Sequence, residues 1–227
     1  MLPFWKRALD FAIILVLSPA LILFGVGVAL LVKCGSPGPI FFRQRRVGCR
    51  GRQFTLLKFR TMRPDADAQS HREYTQHLMT SEVPMTKLDA HQDPRLIPLG
   101  ALLRACGLDE LPQIINVMRG EMSIVGPRPC LPYEYERYEA RHRLRLSAVP
   151  GLTGLWQVSG KNRTTFSRMV ELDIEYSRRM SLGLDLQILL RTLPALWRQC
   201  LDMRPARRKP AVSPEAGIGK SAQLNHL

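Results

Sequence analysis

The chain has 227 residues and a formal net charge of +14, with 33 lysines and arginines against 19 aspartates and glutamates. This length allows one domain with a hydrophobic core and, in addition, a tail or a membrane segment. The five cysteines form no CxxC pair and the five histidines show no metal-ligand spacing, so neither a zinc site nor a disulfide framework is indicated. We expect the polar part to lie in a reducing, cytoplasmic environment.

An uncharged apolar stretch occupies residues 11–32. As a straight helix it would be about 33 Å long, roughly the thickness of the hydrocarbon core of a bilayer. The simplest interpretation is a single transmembrane anchor. A signal peptide fits less well, because no cleavage site of small residues stands out and basic residues follow the stretch.

Ser18-Pro19 favours a different path for this stretch. Proline removes one helical hydrogen bond and clashes with the preceding turn. Basic residues flank both ends of the stretch, and such residues tend to remain on the cytoplasmic side. A helix broken at Ser18-Pro19 that enters the bilayer and returns keeps both basic clusters on one side, while a kinked spanning helix is the alternative. The flanking basic residues are Lys6, Arg7, Lys33, Arg43, Arg45 and Arg46.

The remaining sequence predicts short strands followed by helices. Two strands should form a hairpin, and the polar residues 64–98 should contain only a short helix near 65–80. Residues 133–146 are rich in Arg, Glu and Tyr and predict a solvated helix, whereas the glycine-rich residues 150–163 predict a loop. The predicted strands are 40–42 and 53–59, the further helices are 100–104, 111–118 (closed by Arg119-Gly120), 166–180 and 184–203, and 204–227 is a predicted disordered tail.

The string LDELPQ at 108–113 places two acidic residues at the entry of a predicted helix. With Asp109 as the N-cap, Pro112 falls at the third helical position, where its missing N–H is harmless. The simplest interpretation is a well-capped helix. The functional one is that the helix N-terminus keeps Asp109 and Glu110 ionised, so that one carboxylate attacks phosphorus while the other holds a divalent metal.

Basic residues flank this acidic pair in the sequence. Alternation points Lys58 and Arg60 to the same face of the second strand. Arg104 precedes the pair by one turn and a linker, and Arg128 lies between two prolines that stiffen its backbone. Each residue alone is best explained as an ordinary surface charge. Together with the acidic pair, the four cations predict a phosphoryl-transfer site.

Taken in order, these strings resemble the bacterial sugar transferases, which are monotopic polyprenyl-phosphate hexose-1-phosphate transferases. The resemblance extends from about residue 4 to residue 200, and it is the ordered set of motifs that makes it specific. The matching strings are SP at 18–19, GSPGP at 35–39, FRQ at 42–44, KFRTM at 58–62, DPR at 93–95, LDELPQ at 108–113, NVMRGEMSIVGPRP at 116–129, PGLTG at 150–154, WQVSGKN at 156–162 and DLQILLRT at 185–192.

The resemblance implies a mostly helical α+β, monotopic membrane protein. Residues 1–33 would be a re-entrant membrane helix with its break at Ser18 and Pro19. Residues 34–203 would be a catalytic domain with a small β-hairpin and amphipathic interfacial helices, on the cytoplasmic side of the bacterial inner membrane. Longer family members carry extra transmembrane helices and a domain upstream, so the chain is similar to the minimal catalytic form.

The resemblance also implies a reaction. Family members transfer a hexose 1-phosphate from a UDP-sugar to undecaprenyl phosphate and release UMP, as the first step of exopolysaccharide or other glycoconjugate assembly. Asp109 would be the nucleophile that forms a phospho-sugar intermediate, and Glu110 would bind Mg²⁺. The expected partners are these substrates and membrane lipids, with a homo-oligomer or downstream glycosyltransferases as further candidates and no nucleic acid. The expected substrate-binding residues are Lys58, Arg60, Arg104, Gln113 and Arg128.

One departure and two alternatives accompany this interpretation. The family usually has a hydroxyl residue at Gly107, so the glycine is expected to loosen the entry to the acidic pair without abolishing activity. A basic, membrane-anchored binding protein is one alternative, although no nucleic-acid-binding motif is present. The other is an inactive scaffold, which the intact acidic pair disfavours. No residue identifies the sugar, and 150–163 are the candidate for part of the nucleotide-sugar pocket.

Overall fold

A computed structural model describes residues 2–63, 69–85 and 95–201, and these form a mainly helical α+β structure with two small sheets. Three 3-10 turns, Leu108–Glu110, Leu144–Ser147 and Lys161–Arg163, interrupt its second half, and a fourth, Cys49–Gly51, connects the first two strands. The elements are α1 (Phe4–Gly35), β1 (Phe41–Val47), β2 (Gln53–Phe59), α2 (Gln69–Thr80), α3 (Gly100–Ala105), α4 (Gln113–Met118), β3 (Ser123–Val125), α5 (Pro132–Glu136), α6 (Ala140–Arg143), β4 (Gly151–Thr153), α7 (Leu155–Val158), α8 (Phe166–Arg179) and α9 (Leu182–Leu201).

Helix α1 continues through the Ser-Pro pair without interruption. Pro19 has no N–H, so the carbonyl of Leu15 loses its usual helical donor. The Ser18 hydroxyl donates to that carbonyl at 2.8 Å. The expected break is therefore not a gap in the helical backbone, because the serine supplies the hydrogen bond that proline cannot. Whether the helix re-enters the membrane stays a prediction.

Within the described ranges, α1 is the one helix whose length and composition would allow it to cross a membrane. Most side chains between Leu15 and Gly27 are exposed. Both flanking segments, in contrast, pack against the rest of the protein. Ile14 packs on the core that contains Leu56, and Val28 belongs to the core that contains Phe59. The exposed apolar middle of α1 is compatible with membrane association.

The predicted hairpin is confirmed, with β1 and β2 antiparallel and in register from Phe41–Phe59 to Val47–Gln53. Strand β1 extends further than the predicted 40–42 because its polar residues also pair with β2. Arg43 and Arg45 direct their side chains to the exterior, whereas the buried Arg46 guanidinium donates to the Pro129 carbonyl at 3.0 Å. A strand of arginines is therefore tolerated because one of them binds a distant backbone carbonyl.

The prediction of a solvated helix over 133–146 is wrong. This segment contains α5, α6 and a 3-10 turn, and two of its charged side chains, Glu134 and Arg145, are buried. The Arg145 guanidinium pairs with the Asp173 carboxylate, and Glu134 accepts a hydrogen bond from the Leu131 N–H at 2.8 Å. Local composition is misleading here because two of the charged side chains form contacts inside the protein and the chain turns between two short helices.

The predicted glycine-rich loop at 150–163 is also wrong, since these residues contain β4, α7 and a 3-10 turn. Strand β4 pairs in parallel with β3. A β-carbon on Gly151 or Gly154 would clash with the backbone of Gly126, so these glycines permit close packing of two chain segments. The side chain of Trp156 is buried behind them. A role for this segment in nucleotide-sugar binding stays a prediction.

The two long amphipathic helices predicted near the C-terminus are confirmed as α8 and α9. Thr165 caps α8 by accepting a hydrogen bond from the Arg168 N–H at 3.2 Å. Helix α9 buries Ile188 in the core, while the opposite face exposes apolar side chains. Those exposed side chains are Leu186, Leu190, Leu193 and Trp197. The predicted tail, 204–227, lies outside the described residues.

A buried polar cluster fastens the first turns of α1 to the rest of the protein. The Lys6 ammonium is 1% exposed, pairs with the Asp185 carboxylate of α9 and donates to the Tyr176 hydroxyl of α8 at 2.7 Å. One turn later, Asp10 accepts from the Ser123 hydroxyl at 3.0 Å and from the Ile124 N–H at 2.9 Å. These four contacts bring α1, β3, α8 and α9 together, and we call them the anchor cluster.

Replacing Lys6 tests the anchor cluster. Lys6→Met leaves Asp185 buried without its cation, which should cost about 3 kcal/mol or more of stability. We expect a lower thermal unfolding midpoint in detergent, and partial recovery in the double variant Lys6→Met/Asp185→Asn. Lys33→Met, at the exposed lysine near the other end of α1, is the control and should melt like the wild type. Equal midpoints for Lys6→Met and the wild type would contradict the anchor.

Candidate active site

The acidic pair lies in the 3-10 turn Leu108–Glu110, between α3 and α4. The residue that starts this turn is Gly107, in the left-handed conformation with φ of 71°, and Pro112 immediately precedes α4. The prediction that Asp109 is the N-cap of a longer helix is therefore wrong. The left-handed glycine reverses the chain early, so a separate tight turn forms before the α-helix begins.

The two carboxylates of the pair differ in exposure. Asp109 is 6% exposed, whereas the Glu110 side chain is 39% exposed. The Lys58 ammonium, near the end of β2, donates to Glu110 Oε1 at 2.7 Å. The fold thus brings Lys58 to the acidic pair. An ion pair this exposed contributes at most about 1 kcal/mol to stability, so its main effect is to position the two side chains.

Asn116 holds this arrangement together, and sequence reasoning did not single it out. Its fully buried side chain accepts from the Leu57 N–H at 3.1 Å and donates to the Thr55 carbonyl at 2.8 Å. These bonds tie α4 to the backbone of β2 on both sides of Leu56, next to Lys58. The signal was present, because Asn116 opens one of the matching motifs.

Two other predicted substrate-binding residues, Arg104 and Gln113, lie near the acidic pair in the chain, and a third, Arg60, directly follows β2. Arg104 is in the last turn of α3, and its carbonyl accepts from Gln199 Nε2 at 3.1 Å. Gln113 is buried at the start of α4. Arg60 is buried, and its guanidinium donates to the carbonyls of Ser36 (2.7 Å) and Pro37. Arg60 therefore fastens the connector after α1 to the end of β2, and its contact with substrate stays a prediction.

Arg128 is held by buried charges as well as by its neighbouring prolines. The Arg145 Nη2 group donates to the Arg128 carbonyl at 3.1 Å, and the same guanidinium pairs with the Asp173 carboxylate. Burial raises the pKa of the Asp173 carboxyl, and the adjacent Arg145 guanidinium opposes that rise. The Arg128 carbonyl is thus held by a guanidinium that is itself fixed in a buried ion pair.

A second guanidinium accompanies Arg128. Burial lowers the pKa of Arg46 to about 10, with a further contribution from Arg128, so Arg46 remains protonated at neutral pH. The Arg128 side chain lies 3.8 Å from Glu134 Oε1. The described contacts therefore link Lys58 directly to the acidic pair and Arg128 to Glu134, with the charge of Arg46 close enough to interact with Arg128.

The acidic pair suits a magnesium ion shared with a substrate. Among the described residues, no group of three or more His, Cys, Asp or Glu side chains is arranged to hold a metal. Mg²⁺ is usually bound through one or two carboxylates, with water and substrate phosphates completing its shell. The half-exposed Glu110 next to Asp109 offers that donor set, so the residues fit Mg²⁺ bound together with a diphosphate.

Comparison with known proteins identifies relatives over most of the chain. A family profile described as bacterial sugar transferase matches residues 1–199. The exopolysaccharide production protein ExoY of Sinorhizobium fredii is 40% identical over 195 residues, which cover 84% of each chain. A UDP-glucose:undecaprenyl-phosphate glucose-1-phosphate transferase of Caulobacter vibrioides is 39% identical, over 84% of this chain and 69% of that protein. The galactosyl transferase CpsE of Streptococcus agalactiae is 45% identical over 69% of this chain and 34% of its own length.

A substitution at Gly107 tests the turn that carries the acidic pair. A left-handed conformation costs a residue with a side chain roughly 1–2 kcal/mol, so Gly107→Ser should lower the unfolding midpoint. Gly107→Asn should cost less, because asparagine tolerates this conformation better. Gly183→Ala is the matched control, since its β-carbon would meet open space within α9, and it should be neutral or stabilising. An unchanged midpoint for Gly107→Ser would contradict the left-handed turn.

Proposed function

The chain belongs to the bacterial sugar transferase family and is a phosphoglycosyl transferase, and we propose that it transfers a hexose 1-phosphate from a UDP-sugar to undecaprenyl phosphate. UMP is the other product. The observation that carries the proposal is the adjacent pair of a buried Asp109 and a half-exposed Glu110 bound by Lys58. Relatives named for exopolysaccharide production support a role in polysaccharide assembly, and we propose that this transfer is its first step.

Asp109 acts as the nucleophile in the first step. One oxygen of its carboxylate attacks the phosphorus that is bonded to the sugar. The bond from this phosphorus to the bridging oxygen of the diphosphate breaks, and UMP leaves with the electron pair. The product on the enzyme is an aspartyl phospho-sugar. The burial of Asp109 supports this role, because a site closed to water protects a reactive acyl phosphate from hydrolysis.

The lipid substrate completes the reaction in the second step. A phosphate oxygen of undecaprenyl phosphate attacks the same phosphorus, and the bond to Asp109 breaks. The carboxylate is regenerated, and the product is undecaprenyl-diphosphate-sugar. Covalent catalysis of this kind divides one difficult transfer between two anionic substrates into two easier displacements.

The cations and Glu110 supply charge neutralisation. Lys58 holds Glu110 and contributes a positive charge at the acidic pair. Arg104 and Arg128 are proposed to bind the phosphates of the donor, where charge neutralisation and positioning provide most of the catalysis. Glu110 would hold Mg²⁺, which when bound neutralises the diphosphate of the donor.

For the membrane, we propose that α1 is re-entrant and bends at Ser18-Pro19. Leu56 and Phe59 lie about 10 Å apart along β2. Ile14 and Val28, which pack on the cores around these two residues, would be about 21 Å apart in a straight helix. A bend away from the protein between them accounts for both packed ends and for the exposed apolar middle.

The proposed orientation places the catalytic domain on the cytoplasmic side of the inner membrane. Both basic ends of α1 then stay cytoplasmic, as basic flanks prefer. The exposed apolar face of α9 is proposed to lie in the membrane interface, with Trp197 at its C-terminal part. This orientation allows a soluble nucleotide-sugar to meet a lipid whose phosphate lies at the membrane surface.

Activity of the acidic-pair variants tests the reaction. Purified protein in detergent is incubated with undecaprenyl phosphate, Mg²⁺ and a panel of UDP-sugars, and UMP release is measured. We expect release with a preferred sugar and its loss with EDTA. Asp109→Asn should reduce it by about 10³-fold or more, because the nucleophile is lost. Glu110→Gln should lower the rate and raise the Mg²⁺ concentration needed.

Glu136→Gln, at an exposed carboxylate on α5, is the control and should keep the wild-type rate. Near-normal turnover of Asp109→Asn would rule out the covalent mechanism. A folded wild-type protein that releases no UMP from any UDP-sugar would instead favour the scaffold.

Labelling of thiols tests the path of α1. Pro19→Ala restores a backbone donor and should favour a straight, spanning helix. A thiol introduced by Phe4→Cys and the native, exposed Cys34 report the two ends of α1 to an impermeant reagent. We expect both to react from the cytoplasmic side in the parent protein and from opposite sides after Pro19→Ala, a change that would have to open the anchor cluster and should therefore also lower the unfolding midpoint.

Pro194→Ala, at the proline inside α9, is the matched control and should leave both thiols on the cytoplasmic side. Reaction of the parent protein from opposite sides would exclude the re-entrant path. Reaction of both ends from one side after Pro19→Ala would show that Pro19 does not determine the path of α1.

A further inference from the structure

Two cysteines that are distant in the sequence meet next to the acidic pair. The sulfur atoms of Cys106 and Cys200 are 3.4 Å apart, although 94 positions separate the residues. Cys106 ends α3, three residues before Asp109, and Cys200 lies in the last turn of α9. Both side chains are partly buried. The pair is therefore formed by tertiary packing and not by local sequence.

Neighbouring contacts hold the end of α9 against α3. Gln199 Nε2 donates to the Arg104 carbonyl at 3.1 Å, and the Cys200 thiol donates to the Ala105 carbonyl at 3.6 Å. These carbonyls belong to the last turn of α3, where helical partners end. Leu196, one turn earlier in α9, lies where it would contact a β-carbon on Gly107. The two thiols thus sit in a packed junction, which fixes their approach.

We propose that Cys106 and Cys200 are an oxidisable thiol pair whose disulfide ties the end of α9 to the turn carrying Asp109 and Glu110 and thereby lowers turnover. The site accepts small oxidants, such as a peroxide or a low-molecular-weight disulfide. The effect on turnover rests on the proposed function, whereas formation of the disulfide does not.

One molecule of oxidant is sufficient to form the disulfide. A bond forms between the two sulfur atoms, and each thiol loses its proton. The two electrons reduce the oxidant, so that one hydrogen peroxide gives two waters, or one low-molecular-weight disulfide gives two thiols. A dithiol reductant reverses the reaction by exchange.

Closure requires only a small movement, and that movement falls next to the acidic pair. The sulfur atoms must approach from 3.4 Å to about 2.05 Å. Gly107 directly follows Cys106 and is already in the left-handed conformation, so it is the residue at which the backbone adjusts most easily. Asp109 is two residues beyond. A displacement of about 1 Å at a catalytic group can reduce turnover by up to about 10²-fold.

The resting state of the pair is the dithiol. Burial raises the pKa of the Cys106 thiol, and the neighbouring Cys200 thiol raises it further. Both features keep Cys106 protonated at neutral pH, and a reducing cytoplasm keeps disulfides open. The pair should therefore close only when the oxidant is sustained, as a reversible response and not as a permanent cross-link.

The full chain in detergent provides the test. It is exposed to hydrogen peroxide or to oxidised glutathione, digested without reduction, and its disulfides are mapped by mass spectrometry. We expect a Cys106–Cys200 link, about tenfold slower UMP release, and recovery of both with dithiothreitol. The link should also raise the unfolding midpoint, because it closes a long segment of the chain.

Matched variants separate this pair from the other thiols. Cys200→Ser and Cys106→Ser should keep full turnover under oxidant, whereas Cys34→Ser, at the exposed cysteine, should respond like the wild type. Failure to find the Cys106–Cys200 link, while Cys34 is oxidised in the same sample, overturns the proposal. A link that forms without slowing turnover overturns its effect on the reaction. If the oxidant slows Cys200→Ser as much as it slows the wild type, the proposed effect on the reaction is overturned as well.

The experiment distinguishes failure of the proposed function from failure of the thiol-pair proposal. A reduced wild-type protein without UMP release contradicts the transferase reaction. Disulfide mapping and the unfolding midpoint still decide whether the thiol pair exists.

Discussion

The buried contact between Lys6 and Asp185 determines how the apolar helix is attached to everything else. A charge can remain buried only when a partner compensates its lost hydration. Lys6 meets Asp185 of α9 and Tyr176 of α8, and Asp10 adds β3 one turn later. The first turns of α1 consequently have one fixed position. That position fixes where the exposed apolar middle of the helix leaves the protein.

The same use of buried charge recurs at the candidate active site. Arg145 and Asp173 are distant from the acidic pair in sequence, yet the Arg145 guanidinium, paired with Asp173, holds the backbone carbonyl of Arg128. Asn116 does the equivalent for β2 and its Lys58 by bonding to backbone on either side of Leu56. Such buried polar groups contribute little net stability, because hydration is lost as the bonds form. What they add is a defined geometry for the side chains that would face a charged substrate.

Helix α9 connects the anchor cluster of α1 with the candidate active site. Its buried face carries Ile188 and Asp185, its outward face is apolar and exposed, and its end packs on α3 beside the acidic pair. A single rigid helix therefore touches the anchor of α1, the outer surface and the turn with Asp109. The packing of this helix makes the position of the acidic turn depend on contacts far away in the sequence, including the two thiols that meet at its end.

The sequence by itself determined the family, the acidic pair and the elements with a clear local signal. The hairpin and the long helices α8 and α9 were predicted because alternation and helical periodicity depend on neighbouring residues. The ordered motifs predicted Asp109, Glu110 and Lys58, and the structure brings Lys58 to Glu110. Only the tertiary structure decided the rest. The composition of residues 133–146 indicated a solvated helix, and that of residues 150–163 indicated a loop. Distant partners explain why both predictions failed, since Asp173 pairs with the buried Arg145 and Gly126 packs closely against the glycines of the second segment. Lys6 and Asp185 are 179 positions apart. No local pattern records such a pairing, since the free energy that allows a buried charge comes from a partner supplied by the fold.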